Sequence, residues 1–384
     1  MSHTLQPSDI VKRAHAVGSY YGFTPLSTLA ATKKGQGAKA PYPDTLALDT
    51  LDTAAKDVAA LLKQVRDAGL TPSAQQPLFF WHTNAAQGRP APKQIVIQFH
   101  VLGVEHAIAD AVLIRAVRSL MHDLGKQEPT LRLNSMGDKE TRGRLTRELT
   151  QLVRKHQHLI PQEVAEHVRQ GQPVRAAHLL AQDENLKHFL PSPTDHLSEA
   201  SRKHFEAVLE YLESTDTPYE LSPHLYSRAN AWTETCFELA HDADDSLHAW
   251  GSRYSELARP FFKGTVHSVG AVVRVNVPSR DTVAPIKERG NPRFVFVHIG
   301  DEAKRESMKM ADELRKARIP LTQAMGVASL TEQMRLAETM NPPYLLIMGR
   351  KEALERSVIL RERATHTETF IPLNSLIERL KAVA

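Results

Sequence analysis

Residues 79–107, FFWHTNAAQGRPAPKQIVIQFHVLGVEHA, hold the first arrangement in this 384-residue chain that could do chemistry. They read as two strands joined by a nine-residue polar loop, with Ile95, Ile97 and Phe99 alternating along the second strand. Polar loops between such strands commonly hold a ligand. A triphosphate there calls for arginines, whose planar guanidinium matches phosphate oxygens, and the loop supplies only Arg89. The nineteen histidines show no HExxH spacing, and His156 and His158 in RKHQH point to different sides of a helix, so no metal site is expected. Cys236 is the only cysteine, which excludes internal disulfides and thiolate clusters and suits a reducing cytosol.

The elements that must position this chemistry follow from length and pattern. A chain of this size exceeds the range of one growing core, so about two to three domains are expected. Hydrophobic residues at 41% and charged residues at 24% form an ordinary globular mixture. No apolar run approaches the roughly 18 residues of a membrane span, and the N-terminus lacks the apolar core of a secretory signal, so a cytoplasmic protein without membrane contact is expected. The net charge of +4, from 48 basic and 44 acidic residues, permits a nucleic-acid partner without requiring one, because phosphate binding depends on local clustering.

Ser8 and Asp9 open a helical pattern over 8–22, and Val58, Leu61, Leu62 and Val65 mark a second helix after a loop at 32–44. Val112, Leu113, Ala116, Val117, Leu120, Met121 and Leu124 give one long apolar face ended by Gly125. LRLNSMG (131–137) reads as a strand, and about 139–215 as a helical insertion broken by Pro161, Pro173 and Pro191. Strands return in PYELSP, WTETCFEL and VGAVVRVNV (269–277), which predicts a mixed or antiparallel sheet with helices against it. Three prolines among mixed charges make 278–292 a linker. Beyond it, RFVFVHIG, PLTQAM and YLLIMG alternate with helices at 301–317 and 329–340 before a last helix from Leu373, a small α/β domain at 293–384 with a largely parallel sheet.

In this order and spacing the segments resemble the histidyl-tRNA synthetase family. YGFTPL (21–26) is similar to the end of the family's first helix, FHVLGVE (99–105) to its F-H-Q-x-G-V-E strand, and NSMGD (134–138) to its N-S-L-G-D turn. WGSRYSEL (250–257) is similar to G-G-R-Y-D-G-L, and SLTEQMRLAETMNPPYLLIMG (329–349) to the C-terminal domain's helix and strand. The resemblance implies an α+β fold: a class II synthetase-like antiparallel sheet with helices over 1–277, plus a C-terminal α/β anticodon-binding-type domain.

The resemblance also implies that chemistry has been lost. Gln87 stands at the family's ATP-binding arginine and Arg89 at the acidic residue two positions on. LALDTLDTAA (46–55) puts Leu51 where the family has the glutamate that holds the substrate amino group. LYSRANAWTETCFEL (225–239) puts Ser227 at the catalytic arginine, with Arg228 one residue late and so expected on the other face of a strand. Val101 replaces the glutamine of F-H-Q, and Val277 the ATP-stacking arginine of G-L-E-R in SVGAVVRVNV (268–277). Glu105, Trp232, Thr233, Glu238, Arg253 and Tyr254 remain, and Glu105, Trp232, Thr233, Arg253 and Tyr254 form the expected vestigial ligand pocket. In the C-terminal domain, GVASLTEQ replaces a basic stretch with Val327, Ala328, Thr331 and Glu332, although 293–384 keeps fifteen Lys/Arg against twelve Asp/Glu.

The expectation is a homodimer without catalytic residues or cofactor that binds tRNA, other RNA or a partner enzyme. The regulatory subunit of ATP phosphoribosyltransferase is one precedent, although it generally lacks the C-terminal domain kept here. The alternative is an active histidine–tRNA ligase, which would use ATP and Mg.

Overall fold

A computed structural model of the chain describes residues 3–32, 41–46, 48, 51–84, 94–124, 129–228, 231–240, 247–277, 282–283, 292–327 and 329–383. Gln87, Arg89 and Ala328 lie outside them. The first half runs β1 (His3–Thr4), α1 (Pro7–Tyr20), β2 (Thr24–Pro25), α2 (Leu26–Thr32), α3 (Thr53–Asp67), β3 (Leu78–Thr83), β4 (Gln94–Leu102), α4 (Ile108–Asp123) and β5 (Thr130–Ser135). The helical insertion follows as α5 (Lys139–Lys155), α6 (Gln162–Arg169), α7 (Pro173–Leu180) and α8 (Glu199–Ser214). The core is completed by β6 (Glu220–Leu221), β7 (Thr233–Ala240), β8 (Leu247–Arg253), α9 (Ser255–Ala258) and β9 (Ser268–Asn276). After β10 (Thr282–Val283) come β11 (Phe294–His298), α10 (Asp301–Lys316), β12 (Leu321–Gln323), α11 (Leu330–Met340), β13 (Tyr344–Met348), α12 (Arg350–Leu354), β14 (Ser357–Glu362), β15 (Glu368–Pro372) and α13 (Leu373–Val383).

Side-chain caps start the longer helices where the sequence offers them. Asp52 accepts from the Ala55 amide at 2.9 Å, Asp138 from Thr141 at 2.9 Å and Ser198 from Ser201 at 3.2 Å, each occupying an otherwise orphaned N–H of a first turn. The sheet of the core has the order β2-β3-β4-β9-β8-β7-β5-β6, antiparallel from β3 to β7 and β5, with short parallel pairs at both edges. One face is closed by α1, α4 and α8 over Ile95, Ile97, Phe99, Val101, Val273 and Val275. Helix α4 is buried almost all round, so it carries apolar residues beyond a single stripe, and Asp110, Arg115 and Ser119 are buried with them.

The C-terminal sheet is mixed rather than largely parallel. Its order is β12-β11-β13-β14-β15, with β11, β12 and β13 parallel and β14 and β15 added as an antiparallel hairpin. The 278–292 stretch contains β10, which pairs with β1, and the strand expected in PYELSP shrinks to two residues.

This domain docks on α1 and α4 of the core. The Asp312 carboxylate is an ion-pair partner of Arg115 and accepts hydrogen bonds from Tyr21 and from Ser119 at 2.9 Å. Arg115 also donates to Thr215 O at 2.6 Å, Thr217 Oγ1 at 2.7 Å and Met308 O at 3.3 Å. Gly22, at φ +82°, leaves room for the close approach of the Gln323 carbonyl, 2.4 Å from where a Cβ would stand. Asp312→Ala strands a buried guanidinium and a buried phenol, so we expect a loss of about 3 kcal/mol in urea unfolding. An unchanged midpoint would mean that the network contributes nothing to docking.

Candidate functional site

The sheet face opposite α1, α4 and α8 opens onto a cavity of about 650 Å³. Strand alternation decides what reaches it, because side chains at i and i+2 share a face. One cross-strand row through register partners reads Arg132, Glu238, Trp250, Val272 and Gln98, and the next reads Cys236, Ser252, Gly270 and His100. The N-terminal end of α3 contributes Asp52, Thr53 and Asp57, and α7 with the turn after it contributes Arg175, His178 and Lys187.

This parity relocates several expected positions. Val101 packs with the helices, and Val277 packs against the same core, so neither replaces a cavity residue in this chain. The alternation already carries that signal: Gln98 and His100 are the polar partners of Ile97 and Phe99, and Val101 continues the apolar side. Arg253 also lies on the helix side, only 3% exposed. It binds the Asp110 carboxylate through Nε at 3.0 Å and Nη2 at 2.6 Å, and donates to the carbonyls of Val104 at 3.2 Å and His106 at 3.0 Å. Burial alone would raise the Asp110 pKa, but Arg253 and His204 outweigh it and hold the carboxyl at about 2.

Of the expected pocket, Trp232 and Tyr254 line the cavity. Glu105 is 70% exposed, 3.8 Å from His267 and not among the cavity-lining residues, and Thr233 is buried with its carbonyl accepting from Ser252 Oγ at 3.1 Å. Leu51 packs against the apolar cluster of Leu26, Val58 and Leu62, while its neighbour Asp52 faces the cavity. Ser227 lines the cavity too. Arg228 was expected to face away, and it does not. Residues 222–228 are irregular after β6, so strand alternation does not govern them, and the Arg228 guanidinium reaches the cavity floor.

There Arg228 Nη2 donates to Glu238 Oε1 at 3.0 Å and its Cζ lies 4.1 Å from the Trp250 ring centre. His248 hydrogen-bonds the same carboxylate, and Arg274 Cζ lies 4.5 Å from the same ring centre. Burial pushes the Glu238 carboxyl up, but His248 and Arg228 together bring it down to about 2. Neither Trp250, His248 nor Arg274 stood out in the sequence; their link is the β8–β9 register, His248 opposite Arg274.

The second row is a neutral relay. Tyr254 donates to His100 Nδ1 at 2.6 Å, leaving His100 Nε2–H for Gln98 Oε1 at 3.2 Å. Gly270 permits it, since a Cβ there would lie 2.4 Å from His100 Nδ1. Burial, then the charge of His82, lowers the His100 pKa to about 3, and burial, then Lys304, does the same at His298 in the C-terminal domain. Among the described residues no group of three His, Cys, Asp or Glu is placed to hold a metal ion.

These two histidines set a pH dependence. An unfolded histidine titrates near 6.5 and takes up a proton that the folded state refuses until about pH 3, so stability is present at pH 7 and falls as pH drops. Each should remove about 2 kcal/mol between pH 7 and pH 5. Urea midpoints at the two pH values read this directly, and His100→Gln should flatten the slope; a wild-type stability independent of pH would contradict a buried, neutral His100.

Residues 282–383 match the anticodon binding domain model. A histidine–tRNA ligase of Geobacillus sp. strain WCH70 is 27% identical over 297 residues, covering 74% of this chain and 70% of the relative. That of Natranaerobius thermophilus is 26% identical over 300 residues, covering 75% and 71%. Apo S. aureus histidyl-tRNA synthetase aligns over 93% of both chains at 19% identity, with a TM-score of 0.46. A Bacillus halodurans protein described as an ATP phosphoribosyltransferase regulatory subunit/histidyl-tRNA synthetase aligns over 91% of this chain and 97% of its own at 16% identity, with a TM-score of 0.43. The ligase similarity spans most of the chain and the anticodon-binding match covers its C-terminal part, so the fold is that of a class II synthetase with its anticodon-binding domain, and the chain belongs to the histidyl-tRNA synthetase family.

Proposed function

We propose that this family member binds rather than ligates: it does not form an aminoacyl-adenylate, and it acts as a cytoplasmic homodimer that engages RNA or a partner protein. The observation that carries this reading is the state of Arg228. Its guanidinium already gives Nη2 to Glu238 and one face to Trp250, so part of the charge and donor set that a developing phosphate charge would use is engaged by the protein itself. Leu51 in its apolar cluster supports the same reading, because an aliphatic side chain offers an ammonium group nothing. The position of Gln87 lies outside the described residues, and its contribution rests on the sequence resemblance alone. Losing one preorganised electrostatic contact costs about 100- to 1,000-fold in rate.

The core at 1–277 supplies the cavity and the domain at 293–384 an RNA-facing surface. The contact at 327–332 is weak in this reading. Ser329 caps α11, Glu332 pairs with Arg335 at 3.0 Å, and Gln333 is spent on the His298 and Val327 backbone. Among the described residues no helix is long and apolar enough to cross a membrane.

One observation favours the alternative of an active ligase with ATP and Mg: Arg228, one position late in sequence, nevertheless lies in the cavity. Histidine-dependent exchange of pyrophosphate into ATP separates the two. We expect background exchange, and turnover well above it would establish the ligase.

Assembly and RNA are read together by light scattering with absorbance at two wavelengths. The expected result is twice the 42.9 kDa chain mass, with RNA that co-migrates at low salt and is stripped at high salt. A monomer free of RNA at every salt concentration would remove both partners from the reading.

A further inference from the structure

We propose that the cavity is a receptor for a compact oxyanion without a nucleobase, a single carboxylate or phosphate group seated on Arg274 beside Arg228. The proposal rests on reading the chain as a binding protein and gives that cavity a ligand class. Arg274 projects from β9 into the cavity with an exposed side chain, and among the described residues it meets the Trp250 face, the field of Asp57 and the like charge of Arg228, which an anion between them would relieve. Its guanidinium N–H groups therefore remain available to a ligand. Arg228, anchored by Glu238 through Nη2, lies within 4.1 Å of the same ring centre that Arg274 approaches at 4.5 Å. Two guanidinium groups are thus held against one indole, and a planar guanidinium fork accepts a carboxylate or phosphate in two parallel hydrogen bonds.

The same walls select against a nucleotide. Every Phe, Tyr or Trp ring lining the cavity among the described residues is at most 8% exposed, Trp250 being the most open and already approached by both arginines. An adenine would find no aromatic face to stack on. The carboxylates of Asp52, Asp57, Glu184 and Glu238 are interspersed with Arg132, Arg175 and Lys187 over the rest of the lining, so a triphosphate would meet charges of both signs rather than a continuous basic surface. Repulsion from those carboxylates opposes a highly charged ligand while leaving one oxyanion on Arg274 favourable.

The test is isothermal titration of the full-length protein with inorganic phosphate, with lactate and with Mg-free ATP. Arg274→Gln alters a cavity side chain that is exposed, so the fold is retained, and Arg350→Gln, far out on α12, controls for net charge. The proposal expects saturable binding of phosphate or lactate, with ATP no tighter. Arg274→Gln should weaken binding about tenfold or more, and Arg350→Gln should leave it unchanged. The anion that binds identifies phosphate or carboxylate as the source. No saturable binding of either anion, ATP more than tenfold tighter than both, or an Arg274→Gln variant that binds as well as wild type would overturn it. Pyrophosphate exchange is read separately: failed anion binding with no exchange removes this ligand class alone, whereas tight ATP with exchange removes the binding-protein reading as well.

Discussion

The ion pair between Asp110 and Arg253 is the constraint around which the core is organised. Both groups are nearly dry, at 1% and 3% exposure, and such a pair is tolerated only when geometry and further hydrogen bonds replace the lost water. Arg253 meets that demand by donating to Asp110 and to the Val104 and His106 carbonyls, which joins the end of β8, the loop after β4 and the start of α4. His204 on α8 approaches the same carboxylate at 3.3 Å. Removing one partner would leave a buried charge, so these elements hold their places together. The residue after Arg253 is Tyr254, which leaves the strand and turns to the opposite side to meet His100. The ion pair under the sheet thereby fixes the hydrogen-bonded row above it.

From this follows the division of labour between the two faces. The helix face is apolar with one saturated polar knot, while the cavity face carries Arg132, Glu238, Trp250, Arg274 and His100 in cross-strand register. The family resemblance directs attention to the positions of a ligase, but in this chain two of the replaced positions, 101 and 277, support the core. Its cavity chemistry comes instead from residues to which the motifs assign no role: Trp250 and Arg274, within the 250–257 and 268–277 segments, with His248 holding Glu238 beside them. Arg228 commits Nη2 to Glu238 and one face to Trp250, which fixes its place on the cavity floor.

The C-terminal domain is attached through the same helices. Asp312 gathers Tyr21, Arg115 and Ser119 from α1 and α4, and Arg115 in turn holds the carbonyl of Thr215 after α8. The helix that covers the sheet on one side is therefore the helix that receives the second domain on the other. This double use explains why α4 is buried almost all round, and why arginine, serine and aspartate occur within an otherwise apolar helix.

Most of the elements and their order are legible along the chain. Ile95, Ile97 and Phe99 announce β4, the long apolar face announces α4, and Asp52 and Asp138 mark helix starts, because each depends on near neighbours and on periods of 2 or 3.6 residues. Family motifs, also local in sequence, carried the assignment of the core and of the anticodon-binding domain. The β14–β15 hairpin escaped notice, since two short strands at a sheet edge have a weak periodic signal. The alternation of β4 marks its apolar side as the core side, but packing is needed to show that α1, α4 and α8 cover that side and that the opposite one opens onto the cavity. The tertiary structure alone brought Arg228 from an irregular segment onto Glu238 and Trp250, set Arg274 beside them, and left Glu105 outside. Those placements are contacts between segments far apart in the chain, and their energies depend on burial and charge that no local pattern encodes.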